Sequence, residues 1–424
     1  MQSRALRSDV YIAVANCKTA RVTWSGVVSE TKRTGASQAM SDAWISCLEE
    51  LRAIAERLRG LAQERDGGRV ADLGIKMFGA TMGAYLQHLS ADPLHPAFLP
   101  SAGYYTMYGS PNPDTIYRTA VIDGEGDYLL SGYRGSVPEA SVMPFGGPTA
   151  QGLQTFPAFD LGPPATNPDS TFQTILSRRE PSPGTTWWRL EPGTRSLMLR
   201  TVSDDWGMHT EPRVAITRLD VDPRRTLPTA GQIEQRLGYF GRVVEAMVMS
   251  GVNRVTQLQA DGVVNRLTEV DYSANGGLAR QWYHEGCYRL DGDHVLLVEA
   301  HLPPGCDAFS LSLTDAFFST IDWANAQSSL NQRQAVLDRD GALRVVVAAS
   351  DPGVHNWLDT TGHDFGVLQF RWMGGGQAPE VTVKLLSTGA LTDALPAGIT
   401  RTSPQQRVKA IRARQVGVQL RSLL

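Results

Sequence analysis

From Pro100 onward the chain breaks into short runs of β-branched, aromatic and aliphatic residues, most of them closed by Gly, Pro, Asp or Asn, and this cadence limits the folds open to it. Residues of these types at period two form half-buried strands, and turn-forming residues at each end prevent long helices. The expected strands are Thr115 to Ile122, Tyr128 to Gly132, Thr185 to Leu190, Ser196 to Val202, Val214 to Leu219, Val295 to Leu302, Phe309 to Leu313, Leu343 to Ala349, Gly366 to Trp372 and Val381 to Leu386. Asp123-Gly-Glu-Gly126 reads as the turn of a hairpin joining the first two. Such spacing suits antiparallel sandwiches rather than βαβ units, and the 41 glycines and 24 prolines fit many turns.

Helical periodicity is confined to the flanks and one central segment. Ser41 and Asp42 suit a helix start, and Trp44, Ile45, Leu48, Leu51, Ile54, Leu58 and Leu61 follow at helical spacing until Gly67-Gly68. A second helix is expected from Val70 to Leu89. Ile233, Leu237, Phe240, Val244 and Met247 share a face before Gly251, which is expected to end that helix. Ser403-Pro404-Gln405-Gln406 carries a cap, a first-turn proline and a capping-box glutamine ahead of a helix whose Arg407, Lys409, Arg412 and Arg414 read as a solvated basic face.

The fold class expected is therefore mainly β (α+β): antiparallel sandwich or jelly-roll-like domains with an N-terminal helical hairpin, one mid-chain helix and a C-terminal helix. The corresponding divisions are 1–39, a disordered or spurious extension; 40–100, helical; 101–228, a first β-domain; 229–252, a dividing helix; 253–402, a second β-domain; and 403–424, the last helix.

A net charge of −3 offers no field for a polyanion, which argues against nucleic acid. Cys17, Cys47, Cys287 and Cys306 lie far apart with no Cys-x-x-Cys pair, so neither a zinc ribbon nor a disulfide scaffold is expected. No apolar stretch reaches the ~18 to 20 residues needed to cross a bilayer, and no signal peptide is evident; a cytoplasmic protein is expected. Walker, Gly-x-Ser-x-Gly and His-Glu-x-x-His motifs are absent, and no cofactor is expected.

Three polar, aromatic loops could carry chemistry. In the first, from Tyr105 through Asn112 to Arg118, a strand starting at Asp114 would put Asp114, Ile116 and Arg118 on one face, with Tyr117 opposite; this is either an Asx-Pro turn with a satisfied ion pair or a ligand clamp. In the second, from Asp204 through Trp206 to Arg213, the residues His209, Glu211 and Arg213 alternate at strand spacing. They have the parts of a general acid/base with an orienting neighbour, although a solvent-facing polar strand would look the same. The third is Asp351 to His363, with His355, Asn356, Trp357 and Asp359; the two histidines match no metal spacing, and no metal is expected. Asn331 and Arg371 supply further polar groups near it in sequence.

Asn112-Pro-Asp114-Thr-Ile-Tyr117, Leu313-Thr-Asp315, Ser329-Leu-Asn331, Asp351-Pro-Gly353, Asn356-Trp-Leu-Asp359, Gly362-His363, Arg371-Trp372 and Leu395-Pro396 together resemble the bacterial family known only as domain of unknown function number twelve-fourteen. The resemblance runs from Met40 onward, and His355 stands where that family is expected to carry proline. It implies a helical N-terminal part joined to β-sandwich, jelly-roll-like domains, and implies no activity.

The functional expectation is an enzyme of small-molecule metabolism, with lyase- or hydrolase-type chemistry on a small oxygenated apolar or aromatic substrate in a cleft between β-domains. His209, Glu211 and Arg213 are its expected catalytic residues. Substrate contacts are expected from Tyr105, Asn112, Asp114, Tyr117, Arg118, Trp206, Asn331, His355, Asn356, Trp357, His363 and Arg371. A carbohydrate-binding protein and an assembly protein remain alternatives, and a homo-oligomer is left open.

Overall fold

In the computed structural model the described residues are 35–64, 68–149, 152–162, 167–272, 276–277, 281–374 and 376–421. Most of the expected N-terminal extension, residues 1–34, lies outside them, as do Cys17 and Gly67.

A helical layer is built from α1 (Gly35–Glu64), α2 (Val70–Ala84, continued by the wider turn Tyr85–Leu89) and α3 (Ala230–Ala260). Ile54, Leu58 and Ala62 of α1, Leu73 and Ala80 of α2, and Phe240, Val244, Val248, Val252 and Val255 of α3 form one buried cluster. Their three-and-four spacing makes each helix amphipathic, and each large side chain fully buried contributes about 1.5–3 kcal/mol. Two helix limits differ from expectation. Ser41 lies inside α1 rather than capping it, and Gly251 lies inside α3 rather than ending it. A Cβ at Gly251 would meet the Phe317 carbonyl oxygen at 2.9 Å and Lys76 Nζ at 3.0 Å. Glycine there permits close packing, a tertiary reason that outweighs its poor helix propensity.

The strands form two sandwiches. In the first, one sheet runs Leu99–Pro100, Thr115–Val121, Ser196–Val202, Glu139–Thr149, Gly152–Thr155, and the other runs Arg213–Arg218, Tyr128–Tyr133, Thr171–Ser177, Trp187–Arg189. Ala120, Val142, Leu197 and Leu199 meet Leu130, Phe172, Leu176 and Ile216 between them. The expected hairpin is thus a crossing. Thr115–Val121 pairs with Ser196–Val202, and Tyr128–Tyr133 pairs in the opposite sheet. The buried Tyr128 fixes that corner, its hydroxyl accepting from Asp123 N and donating to Asp123 O, both at 2.9 Å.

In the second sandwich, one sheet runs Thr268–Val270, Gln281–Arg289, Phe365–Gly374, Cys306–Leu313, Ser329–Asn331, and the other runs Trp357–Asp359, Ala342–Ala348, His294–His301, Val381–Ser387. Alternation along His294–His301 sends Leu296 and Val298 into the sandwich, and Val295 and Leu297 into a second cluster with Trp357, Leu391 and Leu395. Cys287, Phe365 and Val367 on the outer face of the first of these sheets join the helical cluster. Among the described residues the strands named above pair antiparallel, apart from two parallel edges at Trp187–Arg189 and Trp357–Asp359, and one isolated parallel bridge joins Val264 to Cys287.

The last helix, α4 (Pro404–Leu420), starts with the expected capping box of Ser403 and Gln406. Its expected solvated basic face is only half present, because Lys409 and Arg412 are exposed while Arg407 and Arg414 are buried. Arg407 pairs with Asp351 at 3.0 Å, and Arg414 donates to the Trp323 carbonyl at 2.9 Å and to Ser329 Oγ at 2.6 Å. Burial draws the Arg414 guanidinium down to about 10, against the pull of Asp114 and Asp322.

Candidate active site between the two sandwiches

The first sandwich turns Thr115, Tyr117, Arg200 and Val202 toward the second, which answers with Gln281, Tyr283, Phe309, Ser310, Arg371 and Trp372. Period-two alternation explains the selection, since 115 and 117, 200 and 202, and 281 and 283 each share a strand face. Register does the rest: Tyr117 lies opposite Arg200, and Tyr283 opposite Arg371. Asn112, Asp114 and Asp204 close one end. The cleft has a volume of about 60 Å³.

Asp114 is buried at its floor. Its Oδ1 accepts from Trp206 Nε1 at 2.8 Å and from Asn331 Nδ2 at 2.7 Å. Burial raises its pKa, and those two hydrogen bonds with the nearby Arg421 and Arg414 only partly counter this. Asn112 orients the turn by accepting from Asp114 N at 3.1 Å. The Asp114–Arg118 pairing expected from alternation is replaced, because the strand begins at Thr115 and Asp114 turns to the cleft; the Arg118 guanidinium is lowered by burial and supported by Glu211.

Arg371 donates to Ser312 Oγ at 3.0 Å, to the Ser110 carbonyl at 3.2 Å and to Gln369 Oε1. Gln369 in turn donates to Glu285 at 2.8 Å, and Glu285 pairs with Arg254 of α3, so the guanidinium is oriented from the helical layer. Arg200 donates to the Gly276 carbonyl at 2.7 Å, while its buried Nη1 has no hydrogen-bond partner. Asp204 leaves Oδ1 without a hydrogen bond, 3.7 Å from His209 Nδ1, and holds Gln332 and Arg333 with Oδ2.

The His209, Glu211 and Arg213 stripe does not form. Residues 206–208 make a turn, the chain is irregular to 212, and the strand starts at Arg213, so alternation does not apply. His209 accepts from or donates to Ser203 Oγ at 3.0 Å behind Asp204, Glu211 is buried in a 2.7 Å ion pair with Arg421, and Arg213 is exposed over the Tyr133 ring. The loop from Asp351 to His363 also lies elsewhere. His355 Nε2 sits 2.9 Å from the Gln334 carbonyl, Asn356 donates to the Val336 and Arg344 carbonyls, Trp357 Nε1 donates to the Ala348 carbonyl, and His363 Nε2 contacts Asp72 Oδ2 of α2 at 3.2 Å. These groups pin α4 and α2 and do not reach the cleft. Tyr105 is exposed beside a separate, smaller hollow. Tyr117, Asn112, Asp114 and Arg371 are therefore brought together, with Trp206 and Asn331 supporting them from behind. Sequence reasoning missed Arg200 and Tyr283, and placed Asp204 in the second polar loop without a role.

Among the described residues no group of three or more His, Cys, Asp or Glu could hold a metal ion, and no helix is long and apolar enough to cross a membrane.

No family model matches the chain, and no curated protein matches it. An uncharacterised protein from Burkholderia cenocepacia superposes with a TM-score of 0.77 at 25% identity, over 84% of this chain and 99% of that one. The VPA0106 protein from Vibrio parahaemolyticus covers 74% of this chain and 98% of its own at 15% identity, but its TM-score of 0.41 carries no argument. The same holds for a salicylate 1,2-dioxygenase from Pseudaminobacter salicylatoxidans, at 7% identity and a TM-score of 0.15 over 76% of this chain and 84% of its own. The chain is a mainly β, α+β protein. It shares that fold with a solved protein described only as uncharacterised.

Proposed function

We propose that the protein is an enzyme of small-molecule metabolism that works in the cleft between the sandwiches, by lyase- or hydrolase-type proton transfer on a small oxygenated substrate, in the cytoplasm and without a nucleotide cofactor. The observation that carries this reading is Asp114, a carboxyl group whose burial raises its pKa toward the working range of a general acid or base, at the floor of a cleft with two guanidiniums. Asp114 takes the proton-transfer role expected of His209, which reaches the cleft only through Asp204. Tyr117 and Tyr283 supply apolar walls. The resemblance to family twelve-fourteen names no substrate and leaves the reaction to be read from these groups.

Asp114→Asn tests it, because asparagine keeps an oxygen to accept from Trp206 and Asn331 while losing the titrating group. Wild type and variant are incubated in D2O with a mixture of small oxygenated aromatic and aliphatic metabolites, and conversion and deuterium uptake are followed by mass spectrometry. We expect a loss of about 10²-fold or more in the variant at unchanged thermal stability. Equal turnover by both proteins would refute the role.

A further inference from the structure

The cleft is built from two matching halves. Each sandwich contributes a cross-strand tyrosine–arginine pair, with Arg200 Cζ 5.7 Å from the Tyr117 ring centre and Arg371 Cζ 5.8 Å from that of Tyr283. Arg200 and Arg371 both line the same cleft. Arg200 is 8% exposed and Arg371 5%. A buried guanidinium cannot shed its proton, and an uncompensated charge in the interior is costly. Yet the hydrogen-bond acceptors that hold these two are neutral: the Gly276 and Ser110 carbonyls, Ser312 and Gln369. Arg200 Nη1 has none.

The neighbouring acids do not cancel this charge. Asp204 gives Oδ2 to Gln332 and Arg333, Glu139 feels Arg200 without an ion pair to it, and Asp114 gives Oδ1 to Trp206 and Asn331. Among the described residues no carboxylate is hydrogen-bonded to Arg200 or Arg371. We infer that the cleft binds a monoanionic carboxylate on a flat apolar body, the carboxylate bridging Arg200 and Arg371 and the body lying between Tyr117 and Tyr283. A guanidinium fork matches a carboxylate in two parallel hydrogen bonds, and tyrosine faces accept a planar group. A phosphate dianion fits less well, since it would bring a second negative charge beside Asp204. This substrate class rests on the cleft being the active site proposed above.

Isothermal titration calorimetry on the full chain tests it, with benzoate, its neutral isostere benzamide, acetate and inorganic phosphate as probes. We expect benzoate to bind at least tenfold more tightly than benzamide or phosphate, and Arg200→Gln and Arg371→Gln each to weaken benzoate at least tenfold. Because the unliganded guanidiniums lack acid partners, both variants should melt no lower than wild type; Arg200→Lys and Arg371→Lys serve if either fails to fold, and should weaken benzoate through loss of the fork. Equal affinity for benzoate and benzamide, tighter binding of phosphate, no binding of either carboxylate, or variants that bind benzoate as wild type does would each overturn the inference. Asp114→Asn separates it from the enzyme reading: benzoate bound normally by a variant that still turns over removes the catalytic role alone, and lost turnover without benzoate binding in wild type removes the carboxylate alone.

Discussion

Arg421, just beyond α4, joins the end of the chain to the first sandwich, and removing it gives a loss that the contacts allow one to size. Its Nε donates to Glu211 at 2.7 Å, Nη1 to the Pro113 carbonyl at 2.9 Å and Nη2 to the Asp114 carbonyl at 3.0 Å. Arg421→Ala takes from Glu211, 9% exposed, its closest cation, leaving the Thr201 hydroxyl at 2.7 Å and the more distant charge of Arg118. Breaking a buried ion pair from one side costs about 3–5 kcal/mol. The orphaned Pro113 carbonyl adds to this, while Asp114 O keeps Ser203 N at 2.8 Å. We therefore expect Arg421→Ala to lower stability in urea unfolding by about 3–5 kcal/mol. Arg421→Met with Glu211→Leu should recover most of it, giving a coupling of roughly 2 kcal/mol or more in a double-mutant cycle. A loss below about 1 kcal/mol, or a cycle that closes additively, would show that the clamp does not hold the first sandwich.

His363 faces an acceptor at each ring nitrogen, the Thr360 carbonyl at 2.9 Å and Asp72 at 3.2 Å, which favours the doubly protonated ring. Burial alone would lower its pKa, but the Asp72 carboxylate outweighs it and the net shift is upward. The pair's stabilisation is then complete below about pH 6.5 and is lost as pH rises through the raised folded value. Thermal melts should show this decline in wild type, and Asp72→Asn should flatten it; an unchanged profile in the variant would contradict the assignment. For Gly251→Ala, helix propensity offers about 1 kcal/mol, while the Cβ would press on the Phe317 carbonyl oxygen at 2.9 Å and Phe318 Cβ at 3.0 Å. We expect net destabilisation of about 1–2 kcal/mol in urea titrations, and a stabilised variant would refute the close-packing account.

Strands such as Ser196–Val202 and Phe365–Gly374 could be read from sequence because aliphatic and aromatic residues dominate them. Glu139–Thr149 escaped notice because Pro144, Gly146, Gly147 and Pro148 are turn residues that the sheet nevertheless accommodates at an irregular pairing with Gly152–Thr155. Asp114, Tyr117 and Arg371, which line the cleft, stood out in the sequence, since each is a polar or aromatic group in or beside a strand that otherwise looks buried. Arg200 gave the same signal, a lone charge in Ser-Leu-Met-Leu-Arg-Thr-Val, and it should have been taken. The Asp351–His363 loop misled because a dense polar stretch reports hydrogen-bonding demand without saying whose. Here the demand comes from Arg407, more than 40 residues away, and from Asp72, almost 300 away. His209, Glu211 and Arg213 alternate only if the segment is extended, and the turn at Trp206 prevents that.

Arg407, Arg414 and Arg421 recur every seven residues along one stripe, the first two gripping the second sandwich and the third the first. A ribosome makes Asp114 some three hundred residues before it makes the arginine that steadies its carbonyl, an interval of about 15 to 60 s at ordinary elongation rates. Until then the newly made N-terminal half holds Glu211 without the Arg421 clamp and only one wall of the cleft. Its final shape comes with the last turn of the chain.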